Sequence, residues 1–252
     1  VVAGGCEVVA HAVVELVDEL HGLSVAAVVA QADAFLNVSE VGVAQRPAQA
    51  YDDLPVRAPL SPRSVQFLLS VAAIGCCVAM SLPLAHIVSH VSDLGYNPAR
   101  GAEVLSVMLG CSALASFFGV GFLGVRFGGL RAILAFSSTQ ATLLFVLAFV
   151  TDLPTVYLAA ALFGLGYGGI LPCYPVIVRE LLPAHEAGRR TGLVLLCAGG
   201  GMALGSWLGG HVFDVTGSYR IAFLIGVGFN LANLAILGGL TLRTRRLHPA
   251  YG

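Results

Sequence analysis

The chain has 252 residues, 57% of them hydrophobic and only 11% charged, with a mean hydropathy of +0.87. A soluble domain carries about 25% charged residues, so this composition excludes a water-soluble globule and indicates a polytopic membrane protein. The net charge of −1 hides an uneven split: residues 1–64 hold eight carboxylates and three arginines, whereas residues 65–252 hold six and ten.

Residues 1–64 supply no span. The stretch from Val8 to Val29 is apolar in places, but Glu15, Asp18 and Glu19 interrupt it. A carboxylate at the bilayer centre costs roughly 2.5–3.5 kcal/mol. Val9, Val13, Leu16 and Leu20 recur at helical spacing, which predicts a short amphipathic helix. Four prolines between Gln45 and Arg63 mark a linker after it.

Beyond residue 64, six apolar runs have spanning length, near 66–91, 102–124, 130–150, 154–177, 190–213 and 219–242. In lipid the backbone must satisfy its own polar groups, so these runs are helices and the fold class is all-α, a six-helix membrane bundle over 65–246 with a short tail at 247–252. Turn residues separate the runs: Asn97-Pro98, Gly128-Gly129, Asp152-Leu153-Pro154, Leu182-Pro183 and Thr216-Gly217-Ser218. Arg126, Arg131, Arg179, Arg189, Arg190, Arg243, Arg245 and Arg246 fall on one side of this topology, and only Arg100 and Arg220 on the other. The arginine rule therefore places both ends of the six-span unit in the cytoplasm of a cell (inner) membrane.

Several motifs call for a choice between chemistry and packing. Gly164-Leu165-Gly166-Tyr167-Gly168-Gly169 matches GxGxxG, but it lies inside an apolar run with no preceding strand, so it reads as helix packing and not as a dinucleotide site. Gly201, Gly205 and Gly209 repeat every four residues, a stripe that lets two membrane helices approach closely. The six cysteines include no CxxC spacing and there is no HExxH, so neither a metal nor a cofactor is expected, and no segment is patterned for nucleic acid. A six-span protease fails as well, because Ser206 is followed by Trp207 and Leu208 and His211 lies only five residues away.

Pro83 in the first run, and Pro172 with Pro175 in the fourth, remove helix hydrogen bonds and predict broken helices beside a polar cavity. Ser81, Ser89, Cys173 and Tyr174 lie near them. His86 and His90 share one face of the first run, spaced i, i+4. An intramembrane histidine usually faces the protein interior or a wet path, and an unperturbed imidazole titrates at about pH 6.5. His86 is therefore the leading candidate for substrate or proton contact, with His90 second.

The segments Cys76-Cys77-Val78-Ala79-Met80-Ser81-Leu82-Pro83-Leu84-Ala85-His86, Ala99-Arg100-Gly101-Ala102 and Leu105 to Gly110 carry a family resemblance. So do Phe163 to Tyr174, Pro183 to Gly188, Gly201 to Gly205 and Phe213 to Tyr219. Residues from about Arg63 to Arg246 resemble the C-terminal half of a major facilitator superfamily transporter, and look closest to its monocarboxylate and oxalate/formate porter branch. The resemblance implies a twelve-helix protein whose N-terminal six-span half is the partner of these spans. It implies secondary transport of a small organic solute, monocarboxylates being the branch's class, by alternating access with the proton as coupling ion. His86 would contact substrate or proton, with His90, Ser81 and Tyr174 as polar lining. Arg126, Arg131, Arg189 and Arg190 would anchor the cytoplasmic loops and help switch states.

Two positions depart from that branch. Val125 occupies the acidic position of an Asp-Arg-x-Gly-Gly loop, and Ser116-Phe117 replaces a Ser-Arg pair. No deep cation is then left for a carboxylate except a protonated His86 or His90. Residues 1–64 match nothing in the missing half, and a truncated or frameshifted reading is the preferred explanation. A half-unit that packs with another membrane protein is the alternative to a transporter.

Overall fold

The computed structural model describes the backbone of residues 60–119 and 128–247, and the side chains of 60–116, 128–183 and 185–244. The amphipathic segment and linker expected over 1–59, Val125, Arg126 and the tail from 248 onward lie outside the described residues, as do the side chains of Phe117, Arg245 and Arg246. The described residues form seven α-helices: α1 (Pro62–Asp93), α2 (Pro98–Gly119), α3 (Gly129–Leu147), α4 (Leu153–Gly168), α5 (Ile170–Leu181), α6 (Ala187–Thr216) and α7 (Tyr219–Leu247). A 3₁₀ turn at Ala184–Glu186 precedes α6. Among the described residues, five stretches are long and apolar enough to cross a bilayer, with α4 and α5 counted as one. α2, at 22 residues, runs to the edge of the described residues.

The helices start and stop where side chains replace missing backbone partners. Ser61 caps α1, its Oγ accepting from the Ser64 amide at 3.3 Å, and Pro62 fits the first turn because its lost N–H had no partner there. Asp152 caps α4 through the Thr155 amide at 3.0 Å. Gly217, with φ +66°, closes α6 in the left-handed conformation. Most helices run a turn past the apolar limits expected from sequence, since flanking turns can bond internally outside the hydrocarbon.

As Pro172 and Pro175 predict, the fourth run is broken, into α4 and α5, which join at Gly169. Pro172 cannot donate to the Gly168 carbonyl four residues back, so the ladder fails there. The Ser116 hydroxyl of α2 supplies the missing donor, reaching that carbonyl at 2.6 Å. At Pro83 the expected break is corrected: α1 stays one helix through all 32 residues.

Two close helix crossings organise the bundle, α1 on α6 and α2 on α4. Water expulsion drives little helix association in lipid, so backbone proximity and dispersion must supply it. The glycine stripe of α6 lies on α1: a Cβ at Gly201 would sit 2.6 Å from the Ile74 carbonyl oxygen, one at Gly205 2.5 Å from that of Val78, and one at Gly209 2.5 Å from His86 Nε2. The GxGxxG segment packs in two directions. Gly164 and Gly168 abut the Met108 and Ser112 carbonyls of α2, while Gly166 and Gly169 face Thr139 and Phe136 of α3. α1 is the hub, covered by α6, α7 and α2, and contributes the completely buried Leu69, Cys76, Cys77, Val78, Leu82 and Ile87.

This packing separates two kinds of glycine. Gly205→Val should abolish most folded protein in detergent, because overpacking against rigid backbone costs about 1–3 kcal/mol or more. Gly200→Val, where a Cβ meets nothing within 4 Å, should leave the thermal midpoint within a few degrees. Fluorescence-detected size exclusion after heating compares the two.

Candidate functional site

The arginine-rich end of the bundle holds the starts of α1, α3 and α6 and the end of α5. The opposite end holds Asp93, Arg100, Asp152, Asp214 and Arg220. His86 and His90 lie toward the latter. His86 Nε2 is 2.9 Å from the Ser206 carbonyl oxygen of α6. A carbonyl only accepts, so Nε2 carries the proton and Nδ1 is the nitrogen with the lone pair. The His86 ring stacks on Tyr219 of α7 at 5.2 Å between centroids and is partly exposed. His90 is buried, packed edge-on to Phe223 at 5.1 Å and to Tyr219 at 6.2 Å, and its Nε2 has no hydrogen-bond partner. The two histidines and Tyr219 thus join α1 to α6 and α7.

The other expected lining groups are placed differently. Ser81 is 2% exposed, its hydroxyl donating to the Val78 carbonyl at 3.1 Å while Gly205 presses on it. The Tyr174 ring is completely buried, its hydroxyl without a partner, among Cys76, Cys77 and Cys173. Neither opens to a cavity. The level of Cys76 and Cys77 is also roughly 14 Å along α1 from His86 at 1.5 Å per residue, so Tyr174 and His86 are not brought together.

At the arginine-rich end, Glu186 is the anchor. It accepts from Arg190 Nε at 2.6 Å and also from Arg190 Nη2, and pairs with Arg189 at 3.4 Å. Arg190 then reaches α1, its Nη1 donating to the Pro62 carbonyl at 3.3 Å, and its own carbonyl accepting from Gln66 Nε2 at 3.2 Å. Arg131 stands in the first turn of α3. That helix begins at Gly128, φ +83°, with the Glu180 carboxylate of α5 accepting from the Gly129 amide at 3.0 Å and 3.2 Å. The negative carboxylate suits the positive end of the α3 dipole.

Sequence reasoning passed over a buried polar cluster between α1, α3 and α7. Gln140 Oε1 accepts from Asn230 Nδ2 at 3.1 Å and from the Cys76 thiol at 3.5 Å. Asn233 Nδ2 donates to Ser137 Oγ at 3.2 Å and to Asn230 Oδ1 at 3.1 Å. All four polar residues are 0–1% exposed. The signal was present as Ser137-Ser138-Thr139-Gln140 within one apolar run and the i, i+3 pair Asn230 and Asn233 in another. Among the described residues, no group of three or more His, Cys, Asp or Glu could hold a metal ion.

Comparison with known proteins adds identity to this geometry. Residues 60–250 match the family model described as Major Facilitator Superfamily. Among curated proteins, the chain is 30% identical over 158 residues to "Monocarboxylate transporter 13" of Bos taurus, covering 62% of this chain and 37% of that protein. The Rattus norvegicus protein of the same name is 28% identical over the same shares. "MFS transporter asaE" of Aspergillus flavus is 26% identical over 140 residues, 55% of this chain and 31% of that protein. The chain thus spans about a third of the length of the curated relatives it matches.

Two outcomes test this geometry. Asn230→Leu strips Gln140 and Asn233 of a buried partner and should destabilise the bundle by about 1–2 kcal/mol, read as a lowered midpoint in detergent unfolding. Arg190 holds the Glu186 carboxyl below its ordinary value of 4.5. A depressed carboxyl stabilises above its unfolded value and loses that contribution as pH falls through the folded one. Amide exchange in the first turn of α6 should therefore quicken below about pH 4.5, and Glu186→Gln should make it fast and flat across that window.

Proposed function

Because the chain belongs to the major facilitator superfamily, we propose that it forms the C-terminal six-span half of a secondary active transporter for a small organic solute. The observation that carries this reading is the match of residues 60–250 to that family, joined to relatives named as monocarboxylate transporters. Monocarboxylates are accordingly the first solute class to try. In this reading the solute binds against α1, α2, α4–α5 and α6, and access alternates as this half rocks against an N-terminal half. In this reading the arginine-rich end faces the cytoplasm, which the excess of arginine there supports.

His86 is the residue assigned to substrate or proton contact. It is partly exposed, its Nε2–H is committed to the Ser206 carbonyl, and Nδ1 is free to gain a proton. Protonation would put a cation where no arginine lies in the described part of the spans. His90 fixes the Tyr219 ring on which His86 stacks. Ser81 is assigned to the sealed wall beside it, whereas Tyr174 belongs to the buried interior at the level of Cys76 and Cys77 and takes no part in this contact. The Glu186–Arg190 anchor, with Arg189, Arg131 and Arg126, holds the loops that exchange partners between states.

A second reading, a half-unit seated against another membrane protein, is favoured by the outer face of α6, where Leu196, Trp207 and Val215 are 62–73% exposed. Uptake into proteoliposomes separates the two. Joined to its complementary six-span half, the chain should drive solute uptake that rises as external pH falls. His86→Ala should remove that dependence and lower uptake at least about tenfold. Unchanged uptake and pH profile would sink the assignment to His86, and absence of uptake for any small solute would favour the half-unit.

A further inference from the structure

The three glycines that α6 turns toward α1 do not meet the same kind of neighbour. A Cβ at Gly201 would stand 2.6 Å from the Ile74 carbonyl oxygen, and one at Gly205 2.5 Å from that of Val78. Both are backbone atoms, which yield only if the helices part. At Gly209 the three nearest atoms all belong to side chains: His86 Cδ2, His86 Nε2 at 2.5 Å and a Leu82 methyl at 2.9 Å. A Cβ at Gly210, one residue on, would lie 3.8 Å from His86 Cε1, an ordinary van der Waals distance.

The edge of the imidazole that meets Gly209 is also the edge that makes its hydrogen bond. Nε2 is 2.9 Å from the Ser206 carbonyl oxygen, one turn earlier on the same helix. Across its face the ring stacks on Tyr219, at 5.2 Å between centroids and 27° between planes. Tyr219 is backed in turn by Phe213, at 4.3 Å. A methyl group at position 209 would have to push Nε2 back by about 1 Å to reach the separation of roughly 3.5 Å that unbonded heavy atoms keep. Methyl and carbonyl would both stand on α6, so a ring driven from one is driven from the other. The 2.9 Å bond then opens beyond hydrogen-bond length.

We infer that Gly209 is a positioning residue for His86. Its missing side chain leaves the space in which the imidazole lies with Nε2–H on the Ser206 carbonyl and Nδ1 as the nitrogen with the lone pair. Gly201 and Gly205 let the two backbones approach, whereas Gly209 holds one side chain between them in place. The inference deepens the transporter reading and rests on it for its consequence. A solute or proton met by His86 finds one tautomer in one orientation only while position 209 carries no Cβ.

Alanine is the better helix former, so Gly→Ala on α6 isolates the effect of the added Cβ. Gly209→Ala should stay folded in detergent, because the end of a side chain yields more easily than backbone, and Gly210→Ala should match the parent. Gly201→Ala should lower the thermal midpoint whether or not His86 is present. In a His86→Ala background, Gly209→Ala should instead raise the midpoint, a non-additivity that marks residues in contact. Carbethoxylation by diethyl pyrocarbonate, followed for each histidine peptide by mass spectrometry, reports on the ring itself, since it needs a nitrogen lone pair. In Gly209→Ala the His86 rate should rise about fivefold, the scale of one lost hydrogen bond, while the exposed His211 keeps its rate. Joined to its complementary half, the same variant should flatten the pH profile of uptake as His86→Ala does, and Gly210→Ala should not.

A folded Gly209→Ala protein whose His86 reacts at the parental rate would overturn the inference. So would a Gly209→Ala protein that fails to fold and is not recovered by adding His86→Ala, because the glycine would then serve packing as Gly201 does. Recovery by His86→Ala supports the contact. Labelling and midpoint require no transport. A His86→Ala protein with unaltered uptake therefore defeats the functional reading above, while those two measurements still decide whether Gly209 seats the ring.

Discussion

The close contact between α1 and α6 is the constraint from which the rest of the bundle follows. Lipid offers apolar side chains nearly what a protein interior offers, so greasy residues alone do not select one arrangement. Three glycines at four-residue spacing do select one, because only along that stripe can α6 approach the Ile74, Val78 and Leu82 face of α1. With that register set, Ser206 presents its carbonyl to His86, and Arg190 reaches Pro62 and Gln66.

Polar groups then complete what close packing begins. The Gln140, Asn230, Asn233 and Ser137 cluster ties α3 and α7 together behind α1, each member bonded to another while Asn233 Oδ1 is left without a partner. Such networks add orientation more than net stability, since the unfolded chain in a membrane also finds partners. Their burial contrasts with His86, which is partly exposed.

Much of this was legible in the residues and some was not. Hydropathy marks where the spans lie, and the Gly201, Gly205 and Gly209 stripe announces a helix contact without naming its partner. Pro172 forecasts a broken fourth span, but nothing local tells that Ser116, more than fifty residues earlier, satisfies the freed carbonyl. Tyr174 looked like a lining residue because it is polar and near two prolines. The fold turns it inward toward Cys76 and Cys77, a rotation that only the packing of α5 against its neighbours decides. Asn230 and Asn233 were visible as polar letters in an apolar run, yet their meaning depends on a facing helix. The seat of His86 is the least legible feature, since Gly209 and Tyr219 are brought to it only by the tertiary fold.

The bridge from Ser116 to Gly168 also bears on how this half could bend. A helix broken by proline would ordinarily leave a loose carbonyl and a soft joint. Here that carbonyl, the last of α4, is met by a hydroxyl from α2, so the bond fastens α4 to α2 and spans no part of α5. A bend at Gly169 would therefore leave the α2–α4 pair intact, with the break and its satisfied carbonyl on opposite sides of the same residue.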